Sequence, residues 1–538
     1  MILILSMVSC KKKTEEAPID IFNDISVAPS VSPAPSAPSD TTKNELTISM
    51  PGEFDTLHPL ATKNDEISNL LSLVLEPGIR LTVDGKMEPC LIERWQVSED
   101  GLQYTFVIRE NITKHNGNLL QVEDFLYTIK RIAEAEPTDS LYTRYADAIE
   151  AYEKVDEKTF RITTTRKTNE ILYLLTAPIL AQDYYEGTSF TTKEKTPLGT
   201  GPYMVESYTA ENGFVFVRNE NWWKVAPVYE KIVALPIAGE RITLGSDVMG
   251  EVEVLTTPNV VAGSYVVANE TELYSTITPY MDCLVPNFNR RILQDNTIRK
   301  AVSLAINRSQ LISVGLFGLG EPTATPLRPN YWAFTEETYV AIYDEKQANA
   351  LLDEAGYYLD EEREEGPLRY MTNEDGTKRY LQFEILYTEN PEYEYRGNVI
   401  QIIKEDLARI GIEVVITKES QEVYLERLGK KDFDMAFCNF YMYANHDITF
   451  LFSEPYNYGA YAWSDLRVLA NACDSAVTEE EAGIAMNALQ HELLQTMPII
   501  GLYCKESAVV CSAELQLQHN LVFRNVYANI QEWKRKEE

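Results

Sequence analysis

Residues 89–132 read PCLIERWQVSEDGLQYTFVIRENITKHNGNLLQVEDFLYTIKRI, and the fold turns on this stretch. Tyr104, Phe106 and Ile108 alternate with Thr105, Val107 and Arg109, the two-residue period of a half-buried strand. Asp100-Gly101 supplies the tight turn before it, and Trp95-Gln96-Val97 is the strand before that turn. Asn116-Gly117 marks a second turn, after which Phe125, Ile129 and Ile132 fall on one face of a helix. Spacing alone describes a hairpin and a helix from an α/β protein.

The order of these pieces is more specific than their spacing. A Trp strand is followed by Glu99-Asp100-Gly101, then by an aromatic strand ending in Ile108-Arg109. An Asn-Gly turn and the helix start Val122-Glu123-Asp124-Phe125 complete the series. The series resembles the signature segment of solute-binding protein family 5, the dipeptide- and oligopeptide-binding lipoproteins of ABC transporters. That family usually has Phe-His-Asp-Gly where this chain has Lys114-His115-Asn116-Gly117.

Further landmarks extend the resemblance over about Leu46 to Val510. Gly199-Thr200-Gly201-Pro202-Tyr203 is similar to a Gly-Thr-Gly-Pro-Tyr motif, and its two glycines and proline demand a special backbone path before the strand Tyr203–Tyr208. It lacks the Lys-Ser/Thr and helix of a phosphate-binding loop. Arg218-Asn219-Glu220-Asn221-Trp222 resembles an Arg-Asn-Pro-x-Trp step, with Glu220 replacing Pro. Asn287-Phe288-Asn289 leads through Asp295, Ile298-Arg299 and Ala301 to Ala305-Ile306-Asn307-Arg308, again in the family's order. Asp344–Tyr357 matches a family helix that Asp344 caps and Gly356 ends.

Composition agrees with an extracytoplasmic receptor. The 538 residues exceed one simple core. Asp and Glu number 82 against 48 Lys and Arg, a formal charge of −34, which argues against a nucleic-acid partner. Five histidines occur without an H-E-x-x-H or G-x-S-x-G pattern, so no catalytic or metal constellation and no cofactor is expected. Seven cysteines include no C-x-x-C pair. Buried thiols are expected, with Cys283 and Cys438 the one candidate bridge.

The N-terminus reads MILILSMVSC before Lys11-Lys12-Lys13, which resembles the end of a bacterial lipoprotein signal with Cys10 as the lipidated residue. The basic n-region is missing and the apolar run is short. Residues 11–44 are rich in Pro, Ser and Ala and are expected to form an extended tether. Folding is expected from 45, at the strand Leu46–Met50.

From Leu381 the pattern alternates strand and helix. Leu381, Phe383 and Ile385 form a strand, Val399, Ile403, Leu407 and Ile410 a helix face, and Ile412–Ile416 and Phe433–Phe440 further strands. Helices from Ser464 and Glu479 and a strand pair near Ile499–Val510 follow. The fold class implied is α/β, two-lobed and periplasmic-binding-protein-like (type II, venus flytrap), with an extra subdomain in lobe I. Residues 1–10 are a signal remnant, 45–283 lobe I with its subdomain at about 62–190, 284–497 lobe II, and 498–538 a return to lobe I.

Ligands of open α/β sheets bind beyond the carboxyl ends of strands. The resemblance also places the residues after Asp55-Thr56-Leu57-His58-Pro59 along the ligand, where His58 stands for the family's Asp. The candidate ligand residues are therefore Lys63, Asn64, Asp65, Tyr387, Asn439, Tyr441, Tyr443, Asn445 and Asp447. Asn64 and Asp65 also read as helix caps. In peptide-binding relatives an Asp in the last segment holds the ligand's α-amino group. Aligning Asp447-Ile448 with the family's acid-Pro step puts Ala444 at that position, so either Asp447 or Asp65 substitutes or the ligand is not a simple free-amine peptide. The implied function is capture of a peptide or peptide-like solute by hinge closure and delivery to permease subunits, by a monomer anchored through Cys10. The alternatives are an oligosaccharide, haem or metal-chelate ligand, or a surface sensor or adhesion lipoprotein without a permease.

Overall fold

A computed structural model describes residues 44–238, 248–264, 270–334, 343–364, 366–388 and 395–536. Cys10 and the tether, apart from Asn44, lie outside the described residues. The opening hairpin forms as its alternation predicts. Strand Ile92–Val97 pairs antiparallel with Gln103–Ile108, and Gly101 turns the chain at φ 73°. Asp100 sets that turn by accepting from the Leu102 amide at 3.0 Å. Phe106 stacks on Phe160 of the neighbouring strand Thr159–Thr164, with centroids 5.0 Å apart. Strand Ile149–Asp156 completes this four-stranded sheet. Helix Val122–Ala133 buries Phe125, Ile129 and Ile132, the predicted face, and Asp124 caps it from within by accepting the Gln121 amide at 2.9 Å.

Three of the sequence landmarks dock on one another, which explains their composition. The His115 amide donates to the Gly199 carbonyl at 2.9 Å, and His115 Nε2 lies 3.0 Å from the Gly201 carbonyl. Asn219 Nδ2 donates to the same Gly201 carbonyl at 3.0 Å. The glycines are required by contact: a β-carbon at 199 would stand 2.4 Å from the Val74 carbonyl oxygen, and one at 201 would stand 2.6 Å from that of Leu73. Backbone fills the space a side chain would need.

A long mixed sheet joins the two lobes. From one edge its strands are Glu413–Glu419, Gln382–Thr388, Met435–Tyr441, Thr271–Pro286, Ile500–Ser512, Val254–Thr257, Glu45–Pro51, Lys231–Ile237, Gly213–Arg218 and Tyr203–Thr209. Two long antiparallel strands, Thr271–Pro286 and Ile500–Ser512, run from one lobe into the other. Their register breaks between Ile277 and Met281 and between Asp282 and Cys283, where the ribbon bends. The pair of strands expected near Ile499–Val510 is thus a single 13-residue strand. Lys505-Glu506-Ser507, polar enough to suggest a turn, stay in the ladder opposite Gly320, Ile277 and Thr276.

The first lobe has one core, which gathers Tyr104, Phe106, Phe125 and Tyr203 with the C-terminal Tyr527 and Trp533. Two more lie on opposite faces of the strands that follow: Phe383, Ile385 and Phe437 point to one, which also takes Ile237, Val248, Leu255 and Val260 from within 45–283, and Leu386, Ala436 and Cys438 point to the other. Helix Tyr395–Arg409 buries Val399, Ile403 and Leu407, and Gly411 at φ 74° ends it. Asp344 caps helix Glu345–Glu354 by accepting the Gln347 amide at 2.8 Å. The predicted Arg308 is fully buried and staples loops together, with Nε donating to the carbonyls of Thr323 and Gly501 at 3.1 and 2.9 Å.

Cys283 and Cys438 stand directly opposite each other in the ladder but remain free thiols, as do the other described cysteines. Cys283 Sγ donates to the Cys438 carbonyl at 3.7 Å, and Cys438 Sγ accepts from the Tyr424 hydroxyl at 3.3 Å. Each sulfur has its own partner, so the candidate bridge is not formed.

Candidate functional site

Strand Met435–Tyr441 carries the chain to the seam between the lobes, as its position in the alternating pattern predicts. Beyond it the loop is fixed by its own polar groups. Buried Asn445 accepts the Asp447 amide at 3.3 Å, and Asp447 Oδ1 accepts the Thr449 amide at 2.8 Å. The other carboxylate oxygen of Asp447 forms an ion pair with Arg144, which sits on the short helix Thr143–Ala146 of the first lobe. The Arg144 guanidinium also covers the Tyr443 ring, 3.3 Å from its centroid. Tyr443 meets Tyr441 edge-on at 5.4 Å, and Tyr441 meets Tyr280 of the crossing strand at 5.4 Å.

The series of rings and charges continues to the other end of the seam. Tyr441 lies in the field of Arg524 and Asp65, and burial raises its hydroxyl pKa. Arg524 Nη1 is 3.5 Å from Asp65 at the start of helix Asp65–Ser72, and Nη2 donates to the Thr62 carbonyl at 2.6 Å. Burial pushes the Asp65 carboxyl up to about 6, against the opposing pull of Arg524 and Lys505. Glu66 beside it is pushed up to about 8 by burial and then by Asp65, so it is largely neutral at pH 7.

Of the predicted residues, Tyr441 and Tyr443 touch, Asp447 joins them through Arg144, and Asp65 pairs with Arg524 within the field of Tyr441. Asn439 belongs to an adjoining network: it donates to the fully buried Asp282 at 2.7 Å, which also accepts from Tyr395 at 3.1 Å. Asn64 caps the helix, accepting the Ile67 amide at 2.9 Å, and the Lys63 amide donates to Asp55 at 2.6 Å, so both act in shaping the loop. Tyr387 packs on the second lobe's core, its hydroxyl 3.9 Å from where a β-carbon on Gly397 would lie. His446 adopts φ 55° and packs on Tyr331 at 4.0 Å; burial lowers its pKa to about 3, which keeps the ring neutral.

Sequence reasoning missed Arg144, Arg524, Tyr280 and Lys505. Lys505 Nζ lies 5.6 Å from the centre of the Tyr280 ring and 5.8 Å from that of Tyr395. None of the four sits in a motif or at a diagnostic spacing. Tertiary contacts assemble them: the C-terminal segment folds Arg524 back onto helix Asp65–Ser72, Arg144 meets Asp447 from the first lobe, and the crossing strands bring Tyr280 and Lys505 beside Tyr441.

More ion pairs cross the seam, and they are sorted by sign. The first lobe supplies Lys86, Arg166 and Lys167, and the second supplies Glu479, Asp474 and Glu481 as their respective partners. Asn169 Nδ2 also donates to the Cys473 carbonyl at 2.8 Å. Among the described residues no group of three His, Cys, Asp or Glu side chains is placed to hold a metal ion. The seam thus lines up aromatic faces and paired charges beside a bent two-strand ribbon.

Residues 86–460 match the family model described as "Bacterial extracellular solute-binding proteins, family 5 Middle". The chain belongs to this family. Among its curated relatives is the nickel-binding periplasmic protein of Escherichia coli (strain K12), 24% identical over 73% of this chain and 75% of that one. Heme-binding protein A of Haemophilus influenzae is 23% identical over 50% of this chain and 54% of its own length. The solved periplasmic murein tripeptide binding protein MppA, in its unliganded open form, superposes with a TM-score of 0.75 at 17% identity, covering 93% of this chain and 98% of that one. Family 5 proteins are extracytoplasmic solute-binding components of ABC transporters and are not enzymes. The two-lobed α/β fold implied by the opening motifs is therefore the fold of this family. No helix among the described residues is long and apolar enough to cross a membrane.

Proposed function

We propose that this family 5 protein captures a peptide or peptide-like solute in the seam between its lobes and hands it to an ABC permease. The observation that carries the reading is the continuous series Asp65, Arg524, Tyr441, Tyr443, Arg144 and Asp447, which draws on both lobes and the C-terminal loop. An extended ligand needs flat apolar surfaces for its side chains and main-chain partners to set its register, and the rings of this series beside the Asn445–Asp447 loop supply both. Closure proceeds by bending at the register breaks of Thr271–Pro286 and Ile500–Ser512, with lobe I at 45–283, lobe II at 284–497 and the return at 498–538. No bond of the ligand is made or broken. The protein acts as a monomer held to the membrane by a lipid on Cys10.

Native mass spectrometry of the protein purified from its own cells tests the ligand class: a retained peptide supports the reading, and a retained non-peptide solute refutes it. Tyr441→Ala should weaken binding of the retained peptide by tenfold or more, as for a central aromatic anchor worth about 2 kcal/mol. Cys10→Ala should move the protein from the membrane to the soluble fraction, and continued membrane retention would refute the anchor. A metal chelate or haem is the second reading. The ion pair between Asp447 and Arg144 favours it, because it leaves that carboxylate already matched by a cation.

A further inference from the structure

We propose that Arg144 is a specificity-determining residue, an internal cation that fills the subsite formed by Asp447 and Tyr443, so that the receptor selects solutes presenting no cationic group there. The inference rests on the reading that solute binds in the seam. A carboxylate beside an exposed ring face is the chemistry that recognises an ammonium or guanidinium group. Here both elements are turned on a group of the same chain. Arg144 donates to Asp447 Oδ2 while its guanidinium lies 3.3 Å from the centre of the Tyr443 ring.

The subsite is rigid before any solute arrives. The Thr449 amide holds Asp447 Oδ1, and Asn445 holds the Asp447 amide, so the carboxylate has one free oxygen and Arg144 takes it. The pair is well shielded, with side-chain exposures of 23% for Arg144 and 18% for Asp447. The planar guanidinium meets ring and carboxylate together, which a Lys ammonium on a flexible stem does less well. A solute ammonium entering this place must expel Arg144 and leave it unpaired, and that penalty is the source of the selectivity. The first lobe thus brings its own cation to the second, and closure here needs none from the ligand. Arg144 also lies near Glu170, but that carboxylate already accepts from Arg166 Nη2 at 2.7 Å.

The test uses the full chain with Arg144→Ala, Arg144→Gln and the double variant Arg144→Ala/Asp447→Asn, probed with ethylguanidinium and with one tripeptide in free-amine and N-acetylated forms. Ethylguanidinium should raise the melting temperature of both single variants and leave wild type and the double variant unmoved. In wild type the acetylated tripeptide should bind as well as the free form. In the single variants the free-amine form should gain about tenfold, the worth of one charge-assisted hydrogen bond. The proposal is overturned if wild type prefers the free amine by that factor, or if folded single variants ignore ethylguanidinium. If Arg144→Ala does not fold, Arg144→Gln carries the same comparison. If neither tripeptide form binds any variant while ethylguanidinium still rescues the single ones, the peptide reading fails and the assignment of Arg144 stands.

Discussion

Glu66→Gln tests how the acids beside the seam are set. In the folded chain burial, and then the charge of Asp65, push the Glu66 carboxyl from the ordinary 4.5 to about 8. Below pH 4.5 both folded and unfolded chains carry the proton, and the contribution to stability is complete. Between 4.5 and about 8 the unfolded chain releases it and the folded chain keeps it, so stability falls as pH rises, by at most ~1.4 kcal/mol per pH unit. Above 8 both states are ionised and the curve flattens. Glu66 is half-buried, and water reaching it lowers the total, so roughly 2–4 kcal/mol should be lost between pH 5 and 8. Asp65, raised to about 6 by burial, adds a smaller loss of the same sign at lower pH. Gln keeps the shape of Glu and carries no titrating proton. The variant should therefore gain on wild type by roughly 1 kcal/mol per pH unit from pH 6 to 8. Urea unfolding followed by tryptophan fluorescence at each pH gives both curves. Parallel curves for wild type and variant would refute the reasoning.

Gly201→Ala should destabilise the first lobe by roughly 1–3 kcal/mol, because its β-carbon would meet the Leu73 carbonyl at 2.6 Å; an unchanged urea midpoint would contradict this. Raising salt should loosen the seam, since the pairs of Lys86, Arg166 and Lys167 are partly exposed and worth about 0.2–1 kcal/mol each, and 1 M salt cuts the screening length to ~3 Å. Small-angle scattering of the ligand-free protein should show a radius of gyration that grows with salt, and a constant radius would remove these pairs from the account of closure.

The fold was legible because its landmarks are demands of local backbone. Gly199 and Gly201 are needed where two chain segments touch, Asp344 where a helix starts, and Gly411 where one stops. Each requirement is met within a few residues, so it leaves a trace in the sequence. The site was legible only in its positions. The sequence places Tyr441, Tyr443 and Asp447 at or just past the end of a strand, but Arg144, the ion-pair partner of Asp447, lies 303 residues away. Tyr387 shows the same limit from the other side. It lies on the predicted strand, yet the neighbouring helix Tyr395–Arg409 comes down beside it and its partly buried ring packs against the core.

On the proposed reading, pairing rather than net charge governs what the seam can hold. A chain of charge −34 attracts cations through its long-range field. Yet the acids along the seam are already matched: Asp65 by Arg524, Asp447 by Arg144, Asp474 by Arg166 and Glu481 by Lys167. Glu66 is largely neutral at pH 7. A cationic solute would have to break one of these pairs, and breaking a shielded pair costs more than an exposed one returns. The negative field can therefore speed the approach of a cationic solute without rewarding its arrival. On the proposed reading, affinity comes from the run of rings from Tyr280 through Tyr441 to Tyr443, together with the backbone of the loop that Asn445 and Asp447 hold in place. Affinity drawn from ring faces and main-chain contacts changes little with salt, whereas affinity drawn from the acids would fall steeply with it. The salt dependence of solute binding therefore separates the two sources within one titration series.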